Sequence, residues 1–362
     1  MAPWKNDKPH NALPDLPPKG FVVDEELAAS LIAARVALAR ADQAAKQMPN
    51  PDVLLVGIAI SEAQASSEIE NIVTTRDALY VSIARGNKTQ DAATYLALEY
   101  RRALESGFAE SSGRPIGYPM IARLAAIVLG YKVNLRSAPG TFIGGPQSKV
   151  VYTPPEGGEL LSKKLDALLR FVASTKLDPL IAVCLAHYQF EAIHPFPDGN
   201  GRVGRLLNVL WLSQLGIIEK PIVAPSMIIN AARPEYYRVL EEATSKGAYK
   251  QFVLFLLSTF EQAARRSVFQ SEQLIKAQRV LAETTSRVFS QGVGWELSGL
   301  LFLQPYARIS HLVETLGISR PTAAKYLEEL ESLGFLQSVV RGRDKYFVNQ
   351  KMLEILDGKK GS

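Results

Sequence analysis

Two apolar runs, LIAVCLAHYQF and LLNVLWLSQLG, flank the polar stretch AIHPFPDGNGRVGR, residues 192–205. Runs of this kind form helices buried on most sides, and the stretch between them cannot continue either helix. Pro197 removes a backbone donor, while Gly199 and Gly201 permit tight or left-handed backbone. The chain must therefore build two core helices around a short polar joint. The helix restarting near Gly201 points its free N–H groups back at that joint, which makes a nest for phosphate. Arg202 and Arg205 are three residues apart and share a helical face, so both reach a polyphosphate from one side. Asp198 is placed to coordinate Mg²⁺, an ion that prefers carboxylate plus phosphate oxygens. His194, just before the joint, can accept a proton near neutral pH.

The remaining chain reads as helices around this centre. A proline-rich arm, residues 1–21, is expected to lie on a surface or hang free. An N-terminal helical region, 22–110, follows, with apolar residues at three- and four-residue spacing in DEELAASLIAARVALARADQAAKQM and a further helix expected in PDVLLVGIAISEAQASSEIENI. Residues 111–262 form the expected core. Within it, Gly, Pro and β-formers gather in GTFIGGPQSKVVYTPPEGG, which predicts a hairpin-like flap carrying Thr141, Phe142, Ile143 and Gly144. No βαβ alternation and no strand feeding a glycine-rich turn support a nucleotide-binding parallel sheet. The fold class is an all-α core, a helical bundle with a small β-hairpin flap.

Past a helical connector, 263–289, the pattern changes. In 290–356 a short helix, ARISHLVETLG, precedes a turn near Ser319 and a second helix, PTAAKYLEELESLG, before two β-rich arms flank RGRD. This resembles a winged helix-turn-helix domain. Arg320, Lys325, Arg341 and Arg343 are its candidates for DNA contact, against which Glu328, Glu329 and Glu331 would repel phosphate. A module for protein contact is the other reading.

Composition adds limits. The formal charge of +5, from 41 basic and 36 acidic side chains, suits a polyanionic ligand without demonstrating nucleic-acid binding. The single cysteine, Cys184, lies in an apolar run and allows no internal disulfide framework. Four scattered histidines make zinc ligation unexpected. With no apolar segment of membrane-spanning length and no signal-peptide core at the start, a soluble cytoplasmic protein without membrane contact is expected.

The stretch HPFPDGNGRVGR matches at every specified position the signature of the Fic family, His-Pro-Phe-x-Asp/Glu-Gly-Asn-Gly-Arg-x-x-Arg, and the resemblance spans roughly 60–260. It implies a Fic fold and transfer of AMP from ATP to a Tyr, Thr or Ser hydroxyl of a target protein, with release of diphosphate. His194 would take the proton of the target hydroxyl. Phe196 would anchor the loop and Asp198 would hold Mg²⁺. Gly199, Asn200 and Gly201 would hold the α-phosphate, Arg202 the β-phosphate and Arg205 the γ-phosphate, with Gly204 in the same ATP-binding helix. Tyr236 or Tyr237 would line the adenine pocket, and the flap would dock the target by strand addition.

A second motif, SSEIEN at 66–71, resembles the family's inhibitory sequence, Ser/Thr-x-x-x-Glu-Gly/Asn, within a helix expected at about 60–72. The resemblance implies that Ser66, Glu70 and Asn71 form an inhibitory segment whose Glu70 occupies the γ-phosphate position on Arg205. Self-AMPylation is a further expectation. Competing readings are removal of AMP, transfer of another phosphate-containing group, and a winged-helix regulator that only senses nucleotide. The oligomeric state stays open, a homodimer included.

Overall fold

The protein is described from a computed structural model covering residues 5–358 except 112, 139, 145–149, 290, 304 and 342–343. Expectations for Arg343 therefore lie outside the described residues. The elements run α1 (Glu25–Lys46), α2 (Asp52–Ile69), α3 (Arg76–Ala84), α4 (Ala92–Ser111), α5 (Tyr118–Leu129), β1 (Ile143–Gly144), β2 (Val150–Tyr152), α6 (Glu159–Ser174), α7 (Pro179–Ile193) and α8 (Asn200–Gln214). They continue with α9 (Pro225–Ala231), α10 (Arg233–Lys246), α11 (Tyr249–Val288), α12 (Gln291–Leu303), β3 (Tyr306–Ala307), α13 (Ile309–Leu316), α14 (Arg320–Ser332), β4 (Gln337–Arg341), β5 (Asp344–Val348) and α15 (Gln350–Asp357).

The expected pair of core helices is α7 and α8. Every residue of α7 from Leu180 to Ile193 is buried, and α8 is buried from Arg202 through Leu212. Helices this apolar on all sides need neighbours on all sides. α6 and α11 cover α7, while α2, α4, α5 and α9 pack around α8. Asp178 starts α7 by accepting the Leu180 N–H at 2.8 Å, and Arg35 of α1 ties that cap to the N-terminal helix through a forked contact at 3.0 Å. β1 and β2 form the small antiparallel flap.

Several boundaries differ from those expected. α3, unmarked by apolar periodicity, is a nine-residue helix capped by Thr75, which accepts the Ala78 N–H at 3.1 Å. α11 is a single 40-residue helix, so the expected boundary at 262 falls inside it. The continuity follows from α1, which packs along α11 and gives it an apolar partner beyond the core. The arm is laid on the flap: Asn6 donates to the Val150 carbonyl at 2.9 Å, and Thr153 donates to the Asn6 carbonyl at 2.7 Å.

The C-terminal region is winged-helix-like. A three-stranded antiparallel sheet of order β3-β5-β4 packs with α12, α13 and α14, and β4–β5 form the wing in register from Gln337↔Val348 to Arg341↔Asp344. Ser319 caps α14, which carries Arg320 and Lys325 exposed. Arg341 turns toward Asp77 of α3, at 3.5 Å, because the wing lies against that helix. Among the described residues, no helix is long and apolar enough to cross a membrane.

Candidate active site

The site forms where α7 ends and α8 begins. His194 closes α7 in the left-handed region, φ 50°, and its amide bonds back to the Phe190 carbonyl at 2.9 Å. A non-glycine residue held there needs surrounding support. Two side chains that the sequence did not single out provide it. Arg136 donates from Nε to the His194 carbonyl at 2.6 Å and from Nη2 to the Ile193 and Pro155 carbonyls at 3.0 and 2.9 Å. The Arg136 backbone N–H takes the Pro195 carbonyl, and the Tyr152 hydroxyl donates to the Ala192 carbonyl at 2.8 Å. The last carbonyls of a helix have no partner within it, so this set satisfies buried acceptors that the helix leaves open. No spacing in the sequence links residue 136 or 152 to 193, and only the β-rich, proline-bounded composition of the flap region hinted that it belongs near the loop.

The loop then turns on itself. Asn200 accepts the Phe196 N–H at 2.8 Å and donates to the Phe196 carbonyl at 2.7 Å, with Phe196 fully buried below. The phosphate contact expected of Asn200 is narrowed here, since its Oδ1 and one Nδ2 hydrogen are engaged within the loop and the other Nδ2 hydrogen is left as donor. Its backbone N–H remains part of the helix start. Gly199 takes a left-handed φ of 76°, and a side chain there would press on Leu129. Asp198 is exposed, with Oδ1 fixed by the Gly199 amide at 2.6 Å.

Arg202 and Arg205 stand on the first turns of α8, each buried. Arg202 Nη1 donates to the Val128 carbonyl at the end of α5, at 3.0 Å, while its Nε has no protein partner. Arg205 is 1% exposed and is received by α2: Nε donates to Ser66 Oγ at 3.0 Å, and Nη2 donates to the Ser66 carbonyl at 2.9 Å and to Glu70 Oε1 at 2.8 Å. The Glu70 carboxylate lies so close over Gly201 that a side chain on Gly201 would run into it. A carboxylate thus covers the N-terminal turn of α8, where unbonded N–H groups and the helix dipole favour negative charge. Burial works to raise the Glu70 pKa, but Arg205, with Arg202 and Arg233, outweighs it and keeps the group ionised.

Asn71 has a local structural cause. Glu70 ends α2, and Asn71 follows in the left-handed region at φ 61°. The Ile72 N–H returns to the Ser67 carbonyl at 3.0 Å and the Asn71 N–H to the Glu68 carbonyl at 2.9 Å. This pair of bonds is a Schellman termination, whose left-handed position accepts Gly or Asn with least strain. A motif ending in Glu-Gly or Glu-Asn therefore describes a helix end that presents its final carboxylate outward. The Arg233 guanidinium, 3.3 Å from Asn71 Oδ1, also lies over the Tyr237 ring.

Beneath these groups sits a buried polar layer that the sequence did not reveal. Glu62, two turns before Glu70 on α2, accepts from the Ser226 amide at 2.9 Å, the Ser226 hydroxyl and the Tyr100 hydroxyl. Burial raises its pKa to about 7 against those bonds. Glu191 packs against Gly204, where any side chain would collide with its Oε1, and burial raises its pKa to about 7 as well. The need for glycine at 204 thus comes from a carboxylate of this chain. Tyr236 is a correction: it is 1% exposed and its hydroxyl meets His187 Nε2 at 2.9 Å, because its phase on α10 faces the core. Tyr237, at 43% exposed, is the member of the pair that reaches the surface. In the flap, Phe142 is exposed while Thr141 and Ile143 are partly covered and Gly144 is open. Burial and the nearby Arg136 charge lower the His194 pKa to about 4, although the Glu191 main chain, Glu70 and Asp198 pull the other way. The imidazole is therefore neutral near pH 7 and able to accept a proton.

Comparisons with known proteins agree with this layout. Three family profiles match in order: Fic/DOC family N-terminal over 28–109, Fic/DOC family over 123–212, and the protein adenylyltransferase SoFic-like C-terminal domain over 276–352. Curated relatives include proteins named protein adenylyltransferase Fic from Drosophila grimshawi and Drosophila melanogaster, each 31% identical over 147 residues, 40% of this chain. The match spans only 28% and 27% of those relatives' lengths. Among solved structures, a Fic family protein from Desulfovibrio desulfuricans aligns with a TM-score of 0.60 at 21% identity, covering 94% of this chain and 98% of that one. A Fic domain containing signaling protein from Bacteroides thetaiotaomicron aligns at 0.54 and 18% identity, covering 66% and 97%. These two likenesses concern the fold. With the loop, the helical core and the C-terminal domain matched in the same order, the chain belongs to the Fic/DOC family.

Proposed function

We propose that this protein transfers AMP from ATP to a hydroxyl side chain of a target protein, releasing diphosphate, and that Glu70 restrains it. The observation carrying the proposal is the Glu70 carboxylate lying across Gly201 onto buried Arg205, beside a histidine kept neutral. An N-terminal helix turn with a buried arginine is a seat for phosphate, and here an anion of the same chain already rests on it.

In this reading the first-turn amides of α8 and the free Nε of Arg202 hold phosphate oxygens, and Arg205 takes the terminal phosphate once Glu70 withdraws. His194 accepts the hydroxyl proton as the target oxygen attacks the α-phosphorus. The new P–O bond forms as the bond to the leaving diphosphate breaks, and alignment with charge neutralisation supplies most of the rate. Asp198 fits an ion that arrives with the nucleotide. Its carboxylate is exposed and oriented by the Gly199 amide, and among the described residues no cluster of three ligating side chains could hold a metal alone. Mg²⁺ bound there would neutralise phosphate charge. The edge of β1, at Thr141–Gly144, offers backbone groups to an extended target segment. The core from 111 to 262 performs the transfer and the region 22–110 restrains it.

The test is incubation with Mg²⁺ and ATP followed by intact-mass measurement of the chain and of proteins in a lysate. Glu70→Gly should gain AMP units or label a target faster than the unaltered chain. Adding His194→Ala should lower the rate on the order of 10²- to 10⁴-fold. Equal rates with and without Glu70 would remove the restraint from the proposal, and labelling that survives loss of His194 would remove its role as base.

A further inference from the structure

The segment carrying Glu70 is also gripped at its far end by the C-terminal region, at a place that touches no part of the site. α15 ends at Asp357, and its final carbonyls meet three donors from elsewhere. The Leu356 carbonyl accepts from Gln270 Nε2 at 2.8 Å, Arg266 Nη2 at 3.1 Å and Arg76 Nη1 at 3.2 Å. Arg76 Nη1 also pairs with the Asp357 carboxylate. The negative end of this helix therefore sits between two guanidinium groups, the arrangement its dipole favours.

Arg76 passes the hold onward. Its Nε donates to Gln64 Oε1 at 3.1 Å, and Gln64 Nε2 donates to the Thr74 carbonyl at 2.9 Å. Gln64 lies on α2 between Glu62 and Ser66, and Thr74 ends the loop that leaves Glu70. The Leu356 side chain packs on Gly57 of the same helix, closely enough that a side chain at 57 would strike it. At its other end α3 is held again: Arg85 meets Asp344 at 3.2 Å, the Tyr346 hydroxyl at 2.9 Å and the Arg341 carbonyl at 2.7 Å. Asp77 receives the Tyr306 hydroxyl.

We propose that Arg76, Gln64 and Asp357 are positioning residues for the inhibitory carboxylate, through which the C-terminal region governs how firmly Glu70 stays on Arg205. The proposal rests on the reading of Glu70 as a restraint. A loop fixed at both ends delivers Glu70 to Arg205 already ordered, whereas a loop released at residues 74–76 must lose conformational freedom each time the ion pair forms. Displacement of α15 by any partner of the C-terminal region would then favour ATP at Arg205. Site and domain are joined through one bistable contact.

The test uses the full chain and measures AMP incorporation for Arg76→Ala and Asp357→Asn, each with Glu70 intact and with Glu70→Gly. Amide exchange over 70–75 is followed in parallel. Both clamp variants should raise incorporation about fivefold or more, speed exchange over 70–75, and add nothing once Glu70 is glycine. The conservative Asp357→Glu, which keeps a carboxylate for Arg76, should retain the low rate of the unaltered chain. Damage to the fold lowers incorporation, so a gain that disappears without Glu70 is not a sign of damage. Unchanged incorporation or exchange in both clamp variants, while Glu70→Gly is activated, overturns this proposal alone. A further rise in the Glu70→Gly background overturns it too, because the clamp would then act elsewhere. If Glu70→Gly itself is not activated, the restraint reading fails, and this proposal fails with it.

Discussion

Two helix ends face each other across the site, and they are secured by opposite means. The end of α7 holds His194 through side chains from distant elements, with Arg136 and Tyr152 receiving the carbonyls of residues 192–194 and Asn200 closing the loop over Phe196. The end of α2 closes on its own backbone and reaches its partner through Ser66 and one carboxylate whose side chain remains 36% exposed. The α7 end cannot loosen without stranding buried acceptors. The α2 end can release Glu70 at the cost of one half-open ion pair, since its backbone bonds survive the change. A loop fixed in place and a contact that can be withdrawn thus call for different kinds of support.

The largest effect expected is on the permanent side. Arg136→Ala strands the carbonyls of Ile193, His194 and Pro155, and unsatisfied buried groups cost about 1–3 kcal/mol each. A loss on the order of 3 kcal/mol should appear as a lower denaturation midpoint, together with a fall in AMP transfer in the Glu70→Gly background. An unchanged midpoint would mean that the α7 end does not depend on these bonds.

A smaller effect should come from Glu191, which lies between the two ends. Burial lifts its pKa from the ordinary carboxylate value of 4.5 to about 7 in the folded protein, so the unfolded chain binds fewer protons than the native one between those values. The stability this group contributes is present below about pH 4.5 and declines as pH rises through about 7. Glu191→Gln should remove that decline, changing the pH dependence of unfolding by no more than about 3 kcal/mol across the window. His194 and His187, both lowered by burial, act with the opposite sign: their contribution is present above about pH 6.5 and is lost as pH falls. Stability of the variant and of the unaltered chain, followed by urea unfolding at several pH values, separates the two trends. Parallel curves would show that Glu191 does not titrate in this window.

The smallest effect should fall on the removable side. Asn71→Ala leaves a β-carbon in left-handed backbone without the side-chain amide that eases that conformation, at about 1 kcal/mol, while Asn71→Gly should be close to neutral for stability. If the α2 end presents Glu70, the alanine variant also transfers AMP faster than the glycine variant. Identical rates would show that the backbone termination does not place the carboxylate.

Legibility followed the range of the interactions. The joint at 194–205 could be read because proline, glycine and same-face arginines act over a few residues, and α8 starts at Asn200, one residue from the expected place. The segment 66–71 was marked by its resemblance to a motif, which did not give the helix end: the helix expected at about 60–72 stops at Ile69. Asn200 and Tyr236 have partners that no local pattern names: each is a polar residue near the α7–α8 joint, yet Asn200 turns its amide to Phe196, four residues back, and Tyr236 turns to His187 and the core. Arg136, Tyr152 and Glu62 carried no local signal, because they act on residues 58, 40 and 164 positions away, and Glu191 meets Gly204 only once the joint has folded back.

By itself the sequence determined a helical core around a short polar joint, a β-containing flap and a winged-helix-like C-terminal region, since those follow from periodicity, breakers and short motifs. The resemblance implied that Glu70 meets Arg205; tertiary structure decided how Ser66 and Glu70 share that guanidinium, that burial lowers the His194 pKa, and that α15 grips the loop after Glu70. Burial and long-range pairing depend on which surfaces the packed helices bring together. That choice is made by the whole core at once, and no short stretch of the chain contains it.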